Sequence, residues 1–246
     1  MKAVILCAGM GRRTGLSYPK CLYKIDKKIS LLNLNIKKIK KLGFKNSEII
    51  LVTGFKEKLI KKETKNLFTY IKNKEYRSTN MIFSLFEVVK KYGIQSYFVF
   101  YSDIIFDFKY IKLLSKSKKN IATLIDIDWL KKWKLKKNYL DDLEQLKILN
   151  NKIVLLGKKV RKIQGIDGRF VGITKFSKII TKRLVNENFF KRYLNQNKNL
   201  DFTNFLMKLI KDKVEVNVVK RKINWFEFDN IDDFKNFKKI KNNNFF

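Results

Sequence analysis

The chain has 246 residues, 45% hydrophobic and 14% aromatic, which is ample for one large packed domain. It contains no histidine, so a Ser-His-Asp triad, an imidazole base and a histidine-ligated metal are excluded. Cys7 and Cys21 are its two cysteines and make neither a disulfide framework nor a zinc spacing, while 56 basic against 22 acidic residues give a formal charge of +34.

Read in chain order, apolar runs predict a strand over residues 3–7, a helix over 30–42 stopped by Gly43, and a strand over 48–52, a βαβ opening. A helix over 56–65, a strand over 69–71, a helix from 79 or 80 to 91 ending near Gly93 and an apolar strand over 96–101 follow. This alternation implies an α/β fold with a mixed, mainly parallel sheet flanked by helices. A helix over 108–117 and a strand over 120–126 lead to a hairpin, 145–149 and 152–156, around Asn150-Asn151. The remainder reads as a strand over 169–174, helices over 175–194 and 202–211, strands over 214–219 and 225–228, a closing helix over 231–240 and a frayed tail over 241–246. No repeat or linker divides the chain, so a single domain over 1–246 is expected.

The first strand runs into a basic loop holding Gly9 and Gly11, which let a backbone approach a polyanion and adopt angles other residues avoid. Arg12, Arg13 and Lys20 add positive charge, and Pro19, the one proline of the chain, fixes the approach to Lys20. The spacing is neither that of a Walker A loop nor that of a dinucleotide GxGxxG, since Thr14 stands where the third glycine belongs. A nucleotide triphosphate is the ligand this loop suits.

Two aspartates stand at strand ends, Asp103 after the run 97–101 and Asp229 after 225–228. In open α/β sheets ligands collect at the carboxyl ends of strands, so these two either converge on one Mg2+, which takes hard oxygen ligands, or serve as helix caps and turn formers. Asp232 and Asp233 fit the capping role.

Cys7-Ala8-Gly9-Met10-Gly11-Arg12-Arg13 followed by Pro19-Lys20-Cys21-Leu22 resembles the signature of nucleotidyltransferases that join a nucleoside monophosphate to a phosphorylated metabolite. Cys7 and Arg12 depart from that signature. Ser102-Asp103-Ile104-Ile105-Phe106 and Trp225-Phe226-Glu227-Phe228-Asp229 are similar to the family's two metal motifs, with Ser102 in place of a glycine. The resemblance implies a Rossmann-like fold, metal binding at Asp103 and Asp229, transition-state stabilisation by Lys20 with Arg13, and nucleotide contacts from Leu6, Ala8, Gly9, Met10, Gly11, Arg12, Asn80, Ser84 and Ser102. Attack by a phosphate or phosphonate oxygen on the α-phosphorus needs no strong base, because the nucleophile is already an anion.

Thr79-Asn80-Met81 through Ser84-Leu85, Asp126-Ile127-Asp128-Trp129 with Trp133, and Gly168-Arg169-Phe170-Val171-Gly172-Ile173 resemble the branch containing the bacterial choline-phosphate cytidylyltransferases and the phosphoenolpyruvate-mutase-associated enzymes. Membership implies CTP as the nucleotide, surface-polymer modification as the setting, and an acceptor of the phosphocholine, 2-aminoethylphosphonate or glutamine phosphate type. The acceptor is expected at Asp128, Trp129, Trp133 and Gly172 of a hairpin-containing subregion, about 120–175, and at Trp225 and Glu227. Tryptophan faces bind ammonium groups, with Asp126, Asp128 and Glu227 supplying negative charge, although such tryptophans also serve as ordinary core.

No run approaches the roughly 20 apolar residues of a membrane span, and residues 1–8 are too short for a cleaved leader; a cytoplasmic protein without membrane insertion is expected. Lysines are spread from Lys2 to Lys241, as an A+T-rich coding sequence would produce, and no recognition-helix, zinc or RNP motif accompanies them. Specific nucleic-acid binding is therefore not expected. A basic nucleic-acid-binding protein and a sugar-1-phosphate nucleotidyltransferase using UTP, dTTP or GTP are the alternatives.

Overall fold

The computed structural model describes residues 1–26, 28–136 and 139–239. In chain order its elements are β1 (Lys2–Leu6), α1 (Leu31–Lys40), β2 (Ile49–Thr53), α2 (Glu57–Glu63), β3 (Thr69–Lys72), α3 (Met81–Tyr92), β4 (Tyr97–Tyr101), β5 (Ile104–Phe106), α4 (Phe108–Ser115), β6 (Ile121–Asp126) and α5 (Trp129–Trp133). They continue as β7 (Glu144–Leu149), β8 (Lys152–Lys159), β9 (Arg169–Phe176), α6 (Lys178–Asn186), α7 (Phe189–Gln196), α8 (Phe202–Lys211), β10 (Asn217–Arg221), β11 (Trp225–Glu227) and α9 (Ile231–Lys239). The tail expected over 241–246 lies outside the described residues.

Among the described residues, nine strands form one sheet in the order β3-β2-β1-β4-β9-β6-β10-β8-β7. The β3-β2-β1-β4 half is parallel; β9 then runs antiparallel between β4 and β6, and β8 and β7 are antiparallel at the far edge. The sheet is thus mixed, as expected, and the stretch 120–175 is woven into it through β6 to β9. Asn150 and Asn151 both take left-handed angles, φ 48° and 57°, the requirement of a two-residue type I′ turn matching strand twist.

Alternation along β1 separates the core. Val4 and Leu6 pack with Ile82 and Leu85 of α3 and with Phe205 of α8, whereas Ala3 and Ile5 face Ile36 and Ile39 of α1 and Ile111 of α4. Each of these fully covered side chains contributes on the order of 1.5–3 kcal/mol, Ala3 excepted. Helix starts follow the side chains that satisfy free amides: the Ser30 hydroxyl accepts from Asn33 N at 3.3 Å, and Asp201 accepts from Asn204 N at 2.7 Å. The helix expected over 175–194 is two helices, because β9 runs on to Phe176 and Asn188 turns left-handed at φ 53° between α6 and α7.

Outside the large sheet, β5 and β11 pair antiparallel, with Trp225 opposite Phe106 and Glu227 opposite Ile104. The free edge of β5 is closed by α1: Asn35 Nδ2 donates to the Ile104 carbonyl at 2.7 Å and Lys38 Nζ donates to the Phe106 carbonyl. This ribbon carries the acidic residues described next.

Candidate active site

At the carboxyl ends of β1 and β4 a cleft of about 410 Å³ opens. It is lined by Leu6, Gly9, Gly11, Arg12, Arg13 and Lys20 of the first strand and loop and by Asn80, Tyr101, Ser102, Asp103, Glu227 and Asp229 of later elements. Gly11 sits at φ +59°, and a Cβ there would lie 3.3 Å from Lys20 Cβ. A side chain at Gly11 is therefore both strained and pressed on the lysine. Thr14 secures the turn by donating its hydroxyl to the Gly11 carbonyl at 2.7 Å.

The β5/β11 register brings acids from distant parts of the chain together. Phe228 N donates to the Asp103 carbonyl at 2.9 Å, and Asp103, Glu227 and Asp229 each offer an oxygen within 4.8 Å of the others. Three hard carboxylate oxygens so grouped suit Mg2+. Glu227, expected as an acceptor contact, belongs spatially with the two aspartates.

Each acid has a cation nearby. Lys20 Nζ pairs with Asp103 and also donates to the Phe228 carbonyl at 3.3 Å. Arg13 reaches Asp229 Oδ1 at 2.8 Å, and Lys136 reaches Asp229 Oδ2 at 2.6 Å. Burial alone would raise the Asp229 carboxyl, but Lys136, Lys20 and Arg13 hold it below the usual carboxylate range. Burial likewise works against charged Lys20, yet Asp103 and Asp229 outweigh it and raise its pKa. Glu227 is pushed up to about 8 by burial, with Asp229 adding to the rise and Lys136 opposing it.

Placement of the remaining expected residues divides them. Ala8 is buried below the loop, its carbonyl accepting from Phe55 N at 3.1 Å, and Met10 lies beside Arg12. Asn80 caps α3 by accepting from Met81 N at 2.8 Å while lining the cleft. Ser84 is buried and accepts from Asn73 Nδ2 at 3.0 Å, so it braces the segment leading to Asn80. Asp128 precedes α5 and lies 3.6 Å from Lys131.

The tryptophans are core residues. Trp129, Trp133 and Trp225 are 4%, 2% and 2% exposed, and the Trp133 ring already carries Lys136 Nζ and Arg169 Cζ at 4.1 and 4.0 Å from its centroid. Their expected use as open faces for an ammonium group is not what the fold provides. Asp126 is also spoken for: it accepts from Ile223 N at 3.0 Å and Trp225 Nε1 at 2.9 Å and pairs with Lys132 at 2.8 Å. Gly172 (φ +79°) makes room for Tyr101, whose Cδ2 a Cβ would meet at 2.6 Å.

Two site residues, Lys136 and Tyr101, fall outside the expected set. Lys136 is one lysine in a lysine-rich stretch, and only the fold brings it to Asp229. Tyr101 follows from strand alternation, since it is the last residue of β4 before Ser102 and the cleft.

Residues 3–148 match the MobA-like NTP transferase domain. The chain is 28% identical over 252 residues to the CTP:phosphoglutamine cytidylyltransferase of Campylobacter jejuni, covering 96% of this chain and 98% of that protein. Among solved structures it is similar to the CTP:phosphocholine cytidylyltransferase of Streptococcus pneumoniae, with a TM-score of 0.73 at 21% identity over 97% of this chain and 98% of that one. It is also similar to the inositol-1-phosphate CTP transferase of T. maritima, with a TM-score of 0.71 at 18% identity over 98% and 96% of the two chains. At these identities the structural likeness establishes the fold, a mixed sheet flanked by helices.

Proposed function

Because the chain belongs to the family of MobA-like NTP transferase domains and is a nucleotidyltransferase, we propose that it is a CTP-dependent cytidylyltransferase. It joins CMP to a small phosphorylated metabolite of the glutamine phosphate kind and releases pyrophosphate, for surface-polymer modification. The observation that carries this reading is the meeting of Asp103, Glu227 and Asp229 with Lys20 and Arg13 against the glycine loop. The acceptor is argued from the relative that shares 28% identity along nearly all of both chains and from the three buried tryptophans, which leave no open face for a quaternary ammonium.

In this reading Asp103 and Asp229, with Glu227 beside them, hold Mg2+, which would supply charge neutralisation at the phosphoryl oxygens. Gly9 and Gly11 admit the triphosphate to the loop, and Arg12 and Arg13 hold the departing pyrophosphate. Lys20 stabilises the charge that develops at the α-phosphoryl group. The acceptor phosphate attacks as an anion, so the absence of histidine costs the reaction nothing. One domain over 1–246 does this, with the acceptor entering beside residues 120–175. No helix among the described residues is long and apolar enough to cross a membrane, and CTP as substrate fits the expected cytoplasmic setting.

The test is pyrophosphate release with each of CTP, UTP, dTTP and GTP against glutamine phosphate, phosphocholine, 2-aminoethylphosphonate, inositol-1-phosphate and hexose-1-phosphates, with Mg2+ present. Turnover with CTP and glutamine phosphate is expected. Turnover confined to UTP or dTTP with a hexose-1-phosphate would replace this reading with the sugar-phosphate one.

A further inference from the structure

Lys136 is the most deeply placed cation of the site. Its side chain is 6% exposed, on the turn that closes α5 through its own amide, which donates to the Trp133 carbonyl at 2.9 Å. An ammonium has three N–H groups and loses several kcal/mol of hydration on burial. Here Asp229 Oδ2 at 2.6 Å, Asp233 Oδ2 at 3.7 Å, the Trp133 ring at 4.1 Å and the Phe226 ring at 6.0 Å surround it.

The two oxygens of Asp229 are therefore held by unlike cations. Oδ2 faces buried Lys136, whereas Oδ1 faces Arg13, whose side chain is 68% exposed. Arg13 can leave for a phosphate by rotating within the cleft; Lys136 has no comparable exit. Asp233 fixes the backbone at the same point, its Oδ2 accepting from Asp229 N at 2.7 Å and Asn230 N at 3.1 Å.

We propose that Lys136 is a positioning residue that retains one oxygen of Asp229 and so presents the other, alone and in fixed orientation, to a divalent cation in the cleft. This rests on the reading of Asp229 as a metal ligand. Partners that orient a metal-binding carboxylate typically change metal affinity about 10–100-fold when removed. A field effect has the opposite sign: deleting a positive charge beside the ligand strengthens cation binding by Coulomb's law. The direction of the change therefore separates orientation from charge.

The experiment titrates Mn2+ into wild type, Lys136→Met, Lys136→Arg and Asp229→Asn, with free Mn2+ read from its electron paramagnetic resonance signal and folding checked by circular dichroism. Expected is a loss of about 10–100-fold in Mn2+ affinity for folded Lys136→Met, partly restored in Lys136→Arg, and no further loss when Lys136→Met is added to Asp229→Asn. Affinity in Lys136→Met equal to or tighter than wild type overturns the proposal. Should Lys136→Met fail to fold, Lys136→Leu, which likewise removes the donor to Asp229, is judged by the same two outcomes. If Asp229→Asn binds Mn2+ as wild type does, or wild type binds none, the ligand reading itself falls, and this inference with it.

Discussion

The amide of Phe228 donates to the carbonyl of Asp103 at 2.9 Å, and Lys20 of the glycine-loop region donates to the Phe228 carbonyl at 3.3 Å. One residue thus bonds through its two backbone groups to both Asp103 and Lys20. The β5/β11 ribbon sets the spacing of the acids, and Lys20 is anchored to the same residue. Changes to the site should therefore be felt as geometry as well as charge.

Asp103→Asn and Asp229→Asn are each expected to lower kcat by at least about 10²–10³, the scale for loss of one electrostatic stabiliser. Their stabilities should differ. Asp229→Asn weakens the pairing of buried Lys136 and should cost about 3–5 kcal/mol, while Asp103→Asn leaves Lys20 the Phe228 carbonyl and should cost less. Urea denaturation of both variants beside steady-state pyrophosphate release checks the contrast.

Chelation by EDTA is expected to abolish turnover and to leave the melting temperature within a few degrees of the untreated protein. Asp103 and Asp229 already have cationic partners in Lys20, Arg13 and Lys136, so the fold does not wait for a metal. A large drop in thermal stability on chelation would show that the ion is structural.

Lys20→Ala should reduce kcat by about 10²–10³, and Gly11→Ala should reproduce part of that loss. The added methyl lies 3.3 Å from Lys20 Cβ at a left-handed φ, which itself costs about 1–2 kcal/mol. Comparing kcat of the two variants with their urea midpoints separates displacement of Lys20 from general destabilisation.

Lys38 predicts a pH-dependent stability. Burial holds its ammonium down to about 8, below the ordinary lysine value of 10.5, so between pH 8 and 10.5 the unfolded chain binds a proton that the folded protein has released. Stability then rises with pH through that window. Lys38→Met should be more stable than wild type at pH 7 by up to about 3 kcal/mol, less the cost of leaving the Phe106 carbonyl without its donor. The advantage should shrink toward pH 10.5, as urea melts at pH 7 and pH 10 will report.

Gly172→Ala should destabilise by about 2–4 kcal/mol, combining a left-handed φ with overpacking against Tyr101. Because Tyr101 lines the cleft, KM for the acceptor or nucleotide should rise as well. Wild-type KM in a destabilised variant would remove Tyr101 from substrate binding.

Much of this architecture is legible locally. The Asn150-Asn151 turn, the Ser30 cap and the helix over 202–211 each rest on a few neighbouring residues whose backbone preferences agree with the fold. What is not legible is long-range pairing. β5 is three residues inside an acidic motif, too short for a periodic signal, yet it brings Asp103 to Asp229. The buried tryptophans show the same limit: an aromatic in a strand or short helix looks alike whether it faces core or cleft, and only the packing of α5 against β11 decides. Lys136 is hidden by composition, since a single buried lysine is indistinguishable among 56 basic residues.

The pairing of Lys20 with Asp103 and of Arg13 with Asp229 makes the cleft an internal ion exchanger. Under the proposed function, a metal held by Asp103 and Asp229 would take the place of Lys20 and Arg13 at those carboxylates and free both cations for phosphate. Re-forming the two pairs would compensate for the charge that departs with pyrophosphate. Product release would then be coupled to an electrostatic return within the protein.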